Sequence, residues 1–246
     1  MAHDPAVIDA LVAKPGAVAA TETLDALIDR RAAFLTRYQD VDYADRYRAG
    51  LTDIRAAEQR ARPGADALAR TAAESLFKLM VYKDEYEVAR LYTDGTFAAA
   101  LNEQFGAAGK VTLHLAPPLL TGIDKATGRP KKRAFGPWIL PSLRQLAKFK
   151  TLRGTAWDPF GRTAERRLER QLIADYDALV KDVSCSLSPA NYAAALPLLA
   201  TAREIKGFGP VKLASAGRAK LREAELLEQF HTTSVAPPAS APRAAE

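Results

Sequence analysis

The sequence has 246 residues, of which 48% are hydrophobic and 26% are charged, and its formal net charge at pH 7 is +6. A chain of this length can bury a core as one large domain or as two small ones. No apolar run approaches the ~20 residues that cross a bilayer, and the first residues lack the pattern of a signal peptide, so we expect a cytoplasmic protein without a membrane partner.

The first half of the chain is predicted to be helical. Residues 1–21 are predicted to form a linker-like segment, and residues 22–60 a helix with apolar positions spaced by three and four. Residues 62–66 contain Pro and Gly followed by Asp, which predicts a stop, a turn and a new cap. The next helix is predicted from residue 67 to about 92, because this stretch contains no Gly or Pro.

The middle of the chain carries a weak β signal. A short helix is predicted over residues 97–105, and Gly106 ends it. Residues 110–115 alternate between apolar and polar side chains, which is typical of a strand. Residues 116–138 are punctuated by Pro and Gly and are predicted to be irregular, and a helix is expected over residues 140–152.

The last part of the chain is again predicted to be helical. Thr163 is predicted to cap one helix, and Ser188 a second one that runs from Pro189 to about residue 203. A final helix is expected over residues 216–230, and the Ala-, Pro- and Ser-rich residues 232–246 are expected to be a disordered tail.

These elements together predict a mainly α fold. We expect a single helical domain over residues 22–231, with at most a small β element near residues 110–115. The linker-like segment would precede this domain and the tail would follow it.

Positive charge is concentrated in one segment. Between Arg129 and Arg170 there are twelve Lys and Arg residues against three acids, a local balance of +9. Local charge of one sign steers partners of the opposite sign, and guanidinium and indole groups can hold an anionic aromatic ligand or a phosphate. The candidate anion or partner contacts are Lys131, Lys132, Arg133, Trp138, Arg153 and Arg166. A solvated loop is the alternative for the first three, and structural packing is the alternative for the others.

A second charged cluster lies in the helix predicted over residues 67–92. Lys83, Glu87 and Arg90 are spaced by four and three residues, so they would share one helix face. The cluster is either a solvated face or, because apolar and aromatic residues flank it, a partly buried ion-pair network.

Several longer blocks are similar to a known family. They comprise residues 79–93, residues 114–120 with 135–138, residues 152–155 with 158–161 and 165–166, and residues 205–209. In this order they resemble the C-terminal region of the fused bacterial indolepyruvate:ferredoxin oxidoreductases, which belong to the 2-oxoacid:ferredoxin oxidoreductases. The resemblance extends from about Leu24 to Phe230.

The resemblance implies a reaction for the whole enzyme. It is the oxidative decarboxylation of indolepyruvate, or of a similar aryl 2-oxoacid, to an acyl-coenzyme A with electrons passed to ferredoxin. Thiamine diphosphate, Mg and an iron–sulfur cluster are implied for the rest of that enzyme.

This chain departs from the family's cofactor motifs. The G-D-G motif that holds the thiamine pyrophosphate is absent, since the one Asp-Gly pair, Asp94-Gly95, follows Thr93. The one cysteine, Cys185, is too few for a cluster that needs about four thiolates. Pro210 stands where similar sequences place His. We therefore expect no catalytic, cofactor-binding or metal-binding residue in this chain.

The resemblance predicts a non-catalytic C-terminal component of an indolepyruvate:ferredoxin oxidoreductase that is inactive alone. It would dock on the thiamine- and cluster-bearing domains, with ferredoxin and coenzyme A as further candidate partners. A stand-alone helical binding or scaffold protein without a redox role is the alternative. Nucleic-acid binding ranks last, because no helix-turn-helix, zinc or aromatic-stacking signature accompanies the positive charge.

Overall fold

The computed structural model describes residues 22–106, 111–115, 122 and 131–235. Across these ranges the chain is mainly helical, with one small two-stranded sheet, which confirms the predicted fold class. The predicted linker-like segment, residues 1–21, lies outside the described residues. Residues 236–246 of the predicted tail also lie outside them.

The elements follow one another in a simple order. The α-helices are α1 (Leu24–Tyr38), α2 (Val41–Ala49), α3 (Thr52–Ala61), α4 (Ala67–Met80), α5 (Glu85–Thr93), α6 (Thr96–Phe105), α7 (Leu140–Lys148), α8 (Ala164–Ser186), α9 (Tyr192–Ala200) and α10 (Gly209–Val235). Short 3-10 helices cover Pro137–Ile139, Phe149–Leu152 and Thr201–Glu204. The strands β1 (Leu113–Leu115) and β2 (Arg133–Phe135) pair antiparallel, with Leu113 opposite Phe135.

The chain forms two compact units. Among the described residues, unit 1 consists of residues 22–23, 37–40 and 82–167. Unit 2 consists of residues 24–36, 41–81 and 168–235.

Unit 2 is a helical bundle around α4 and α9. Helix α9 packs against α4 and α10, and α3 packs against α4. Its largest buried side chains include Leu35, Tyr47, Ile54, Leu76, Tyr176, Leu198 and Phe230. The hydroxyls of the two tyrosines donate to backbone carbonyls, 3.1 Å to Ala73 and 2.8 Å to Leu199, so their burial leaves no donor unsatisfied.

The side chain of Glu58, in α3, caps the N-terminus of α4. Its carboxylate is 0% exposed and accepts hydrogen bonds from the backbone N–H groups of Leu68 and Ala69, both at 2.8 Å. The Tyr192 hydroxyl donates to the same carboxylate at 2.6 Å. The first N–H groups of a helix have no partner within it, so a carboxylate there satisfies donors and complements the helix dipole.

Unit 1 is built around α5. Helix α7 packs along α5, and α6, the next helix in the chain, also packs against α5. Ala89, Leu113 and Leu143 form the buried centre of this packing. Partly buried apolar residues surround the centre, namely Tyr92, Phe97, Val111, Leu115, Ile139, Leu140, Leu146 and Ala147.

The single helix predicted over residues 22–60 was wrong, because the chain breaks at residues 39–40 and 50–51. At the first break, Lys150 Nζ donates to the carbonyl of Arg37 at 2.6 Å and Arg153 Nη1 donates to that of Tyr38 at 2.7 Å. Cationic side chains thus satisfy the last carbonyls of α1. Gly50 supplies the second break, since glycine is a poor helix former.

Boundaries near the C-terminal end also differ from the predictions. Helix α9 begins at Tyr192 rather than Pro189, because the Asn191 side chain accepts from Ser188 N at 2.8 Å and closes a turn there. Helix α10 begins at Gly209, seven residues earlier than predicted, and extends to Val235 into the predicted tail. The prediction also missed β2, which is only three residues long.

Candidate functional site

The longest block of sequence resemblance contains a break between two helices. The helix predicted from residue 67 to 92 is wrong as one element, since α4 ends at Met80 and α5 begins at Glu85. Asp84 caps α5, because its backbone is extended and its carboxylate accepts from Glu87 N at 2.8 Å. An N-cap carboxylate satisfies a helix donor and makes a new start favourable. Asp94 follows the end of α5, as predicted.

Asp84 also binds Arg153 in a buried ion pair. The Arg153 guanidinium donates from Nε and Nη2 to the two Asp84 oxygens, at 2.5 and 2.9 Å. Asp84 is 3% exposed and Arg153 is 4% exposed. The guanidinium carbon also lies 3.7 Å from the centre of the Tyr38 ring, which adds a cation–π contact. The charges of Asp84 and Arg153 are therefore paired with each other inside unit 1.

Asp158 organises the turn that follows Arg153. One carboxylate oxygen accepts from Gly154 N at 2.8 Å, and the other accepts from Phe160 N at 3.0 Å and from the Tyr86 hydroxyl at 3.2 Å. Gly154 has a φ of +75°, which favours glycine. A Cβ on Gly161 would lie 2.6 Å from an Asp158 oxygen, so this position also requires glycine.

The turn presents a tryptophan at its tip. Trp157 is 82% exposed, and its backbone N–H donates to the Thr155 hydroxyl at 3.2 Å. Arg162 lies beside it, because its Nη2 donates to the carbonyl of Ala156 at 3.3 Å. Trp157 was not among the predicted contact residues, although it lies between two segments of one resemblance block.

The predicted ion-pair network is present in part. Arg90 binds both Glu87 oxygens at 2.8 Å and reaches Asp94 at 2.8 Å. Lys83 lies before α5 begins, so it does not share a helix face with Glu87 as predicted. A spacing of four residues does not place Lys83 beside Glu87, because the helix is interrupted at residues 81–84.

Glu85 is the carboxylate of this cluster whose hydrogen bonding is least complete. One of its carboxylate oxygens is buried and accepts no hydrogen bond from the part of the chain that the structure describes. Arg166 Nε lies 3.7 Å from that oxygen. Burial raises the pKa of Glu85, and the charges of Asp84 and Asp158 act in the same direction, whereas Arg166 opposes the change.

We expect Glu85→Gln to stabilise unit 1 at pH 7. The raised pKa means that, between the ordinary value of 4.5 and the raised one, the native state keeps a proton that the unfolded state has lost. The free energy of unfolding of the native chain therefore falls as the pH rises through this window. That of the variant does not, because glutamine carries no titrating group. Its advantage should shrink as the pH is lowered towards 4.5.

Urea unfolding followed by tryptophan fluorescence measures this difference, since both tryptophans, Trp138 and Trp157, lie in unit 1. Glu103→Gln, at an exposed position of α6, is the matched control. A Glu85→Gln advantage that is absent at pH 7, or that does not change with pH, would contradict the assignment.

The six predicted partner contacts divide into an exposed and a buried group. Lys131, Lys132 and Arg133 are exposed, and Trp138 is 67% exposed. Arg153 is buried against Asp84, and the Arg166 side chain is 12% exposed beside Glu85. The last two are positioned to hold unit 1 together rather than to meet a partner.

Other cations share the exposed surface of unit 1. Within residues 131–167 the exposed cations are Lys131, Lys132, Arg133, Arg144, Lys148, Arg162 and Arg167. The two acids in the same range are Asp158, which is buried, and Glu165, which is half-buried. This range therefore presents an excess of positive charge, which we call the basic surface.

The described residues lack both a metal-holding cluster and a membrane-spanning helix. They contain no group of three or more His, Cys, Asp or Glu side chains placed to hold a metal ion. They also contain no helix that combines the length and the apolar character of a membrane span.

Comparison with known proteins gives one match. The sequence model described as "Family of unknown function (DUF6537)" matches residues 24–225. No curated protein and no solved structure matches the chain.

Proposed function

This chain belongs to the DUF6537 family. On the basis of its resemblance blocks, we propose that it is a non-catalytic docking component of an indolepyruvate-type 2-oxoacid:ferredoxin oxidoreductase. The chain would bind the thiamine- and cluster-bearing part of that enzyme. The basic surface would receive acidic groups, either of that part or of ferredoxin, or the phosphates of coenzyme A.

The observation that carries this proposal is the internal use of the charged side chains in the resemblance blocks. Both Asp84 oxygens accept hydrogen bonds from Arg153, and one also accepts from the first turn of α5. Both Asp158 oxygens accept from backbone N–H groups of the turn around Trp157. A catalytic acid or base must reach a substrate proton, whereas these carboxylates are enclosed by donors of the chain itself. This arrangement supports a structural role for the blocks.

The donor set supports the same assignment. The sequence contains one cysteine, Cys185, which lies exposed on α8, against the roughly four thiolates of a protein-held cluster. The chain's own residues therefore do not fit an iron–sulfur cluster, and any electron transfer would run through the rest of the enzyme.

The basic surface supports a docking role. A surface rich in one sign of charge accelerates encounter with a partner of the opposite sign, by about 10–10³-fold at low ionic strength. Lys131, Lys132 and Arg133 are exposed, and the structure shows no carboxylate beside them among the described ion pairs of unit 1. Their charge is thus open to solvent and to a partner.

The direct test uses the purified chain and the separately purified thiamine- and cluster-bearing part of an indolepyruvate:ferredoxin oxidoreductase. We expect the chain alone to show no indolepyruvate turnover, and we expect it to bind that part with an association rate that falls as salt is added. Reversing Lys131, Lys132 and Arg133 to Glu should slow association about tenfold at low salt.

The matched control reverses Arg60, Lys181 and Arg218, three exposed cations of unit 2, to Glu. Equal association rates for the two triple variants would show that the basic surface has no specific role in docking. Absence of binding by the unaltered chain would favour a stand-alone helical binding protein instead.

A further inference from the structure

We propose that Trp157 is the anchor of the docking surface and that it inserts into an apolar pocket edged by carboxylates on the partner protein. This inference rests on the proposed function, which supplies the partner, namely the thiamine- and cluster-bearing part of the oxidoreductase. It deepens that function by naming the residue that carries most of the affinity.

The first support is the exposure of Trp157. A tryptophan has one of the largest apolar surfaces of any side chain, and here 82% of it lies in water. Tryptophan is also enriched among the few interface residues that dominate binding affinity. Because less than a fifth of the side chain is covered, the indole projects from the surface and fits a pocket better than a flat contact.

The second support is the rigidity of the turn. Both of its ends are fixed, on one side by the buried ion pair of Arg153 with Asp84 and on the other by the part-buried hydrogen bond from Phe160 N to Asp158. The edge of the Phe160 ring also meets Tyr86, with ring centres 5.4 Å apart. A turn whose backbone is held in this way loses little backbone freedom on binding, which favours affinity.

The third support is the set of residues that the turn requires. Gly154 and Gly161 are both needed for its backbone path, and Asp158 is buried to close it. The indole that this turn displays contributes little to packing within the chain. Fixing an exposed tryptophan is therefore explained by a contact outside the chain.

The chemistry of the surroundings indicates the partner. Arg162 and Arg167 are exposed on either side of the start of α8, whereas Asp158 is buried. Carboxylates at the rim of the partner's pocket would complement these cations. Single-stranded nucleic acid fits less well, because bases stack on rings that rest along a groove, and Trp157 projects instead.

The presence of only two tryptophans permits a direct experiment. The full chain is prepared with fluorotryptophan, which gives two fluorine NMR signals, and Trp138→Phe assigns them. We expect the Trp157 signal of the free chain to shift between H2O and D2O, and this solvent shift to disappear when the thiamine- and cluster-bearing part is added.

The binding constants provide the second readout. We expect Trp157→Ala to weaken binding about 30-fold, the size of a dominant interface contact. Arg162→Glu should weaken it about tenfold, with a reduced dependence on salt. Leu221→Ala, the matched control at an exposed apolar side chain of unit 2, should change it less than about threefold. Circular dichroism checks that each variant keeps its helices.

Each other outcome overturns the inference in a distinct way. Unaltered binding by Trp157→Ala would reject Trp157 as the anchor and leave the docking function standing, whereas no binding by the unaltered chain would reject both. A free Trp157 signal without a solvent shift would show that the indole is already covered and would reject the inference. A signal that changes with the concentration of this chain alone would indicate a second copy as the occupant instead. A signal that changes with single-stranded DNA alone would indicate nucleic acid instead.

Discussion

Replacing Arg153 by methionine is expected to lower the free energy of unfolding of unit 1 by about 3–5 kcal/mol. The variant leaves Asp84 3% exposed and without its cation, and an uncompensated buried charge is among the most costly defects in a protein. It also removes the donor to the Tyr38 carbonyl at the end of α1. Tryptophan fluorescence during urea unfolding follows unit 1 directly, since it holds both tryptophans.

A second substitution separates the charge from the packing. Asp84→Asn in the Arg153→Met background removes the unpaired charge and keeps an oxygen that can cap α5, so it should restore part of the lost stability. Arg144→Met, at an exposed position of α7, is the control and should change stability by less than about 0.5 kcal/mol. An Arg153→Met effect as small as the control would contradict the buried ion pair.

Replacing Glu58 by alanine is expected to destabilise unit 2 by about 3–5 kcal/mol, because each buried donor that loses its acceptor costs about 1–3 kcal/mol. The donors are the N–H groups of Leu68 and Ala69 and the hydroxyl of Tyr192. Far-ultraviolet circular dichroism during urea unfolding measures the loss.

Two further variants define the cause of that loss. Glu58→Gln keeps one acceptor oxygen, so it should fall between the native chain and Glu58→Ala. Glu225→Ala, at an exposed position of α10, should be close to neutral. If Glu58→Ala were as mild as Glu225→Ala, the carboxylate would not be the cap that the structure places there.

The sequence predicts those boundaries that have a local chemical cause. The turn at residues 62–66, the ends near Gly95 and Gly106 and the start after Thr163 are all present in the structure. Each depends on a Pro, a Gly or a capping hydroxyl within a few residues of the boundary. Such signals act on the nearby backbone alone, so they can be read without knowledge of the tertiary structure.

The missed break before α5 also had a local signal. Asp84 and Glu87 are spaced as the first and last members of a capping box, and Asp84 does cap the helix. The prediction instead followed the absence of Gly and Pro from residues 67–92. The boundary was therefore predictable from capping chemistry, although not from helix propensity.

Other features depend on contacts between distant residues. Lys150 and Arg153 meet the end of α1 across 113 and 115 residues of sequence, and Glu58 meets Tyr192 across 134. Charge alone could not separate the exposed Lys131 from the buried Arg153, because burial depends on which carboxylate lies nearby. Trp157 was missed because only the folded turn shows that its indole faces water.

The division of the chain between the two units has a consequence for synthesis on the ribosome. Residues 82–167 of unit 1 are complete before the rest of unit 2, residues 168–235, has been made. At about 5–20 residues per second, that remainder takes roughly 3–14 s to translate. During this interval α4 lacks α9, so apolar side chains such as Leu76 await their packing partners in the nascent chain. The earlier-made half of unit 2 is thus expected to expose unpacked apolar surface while translation proceeds.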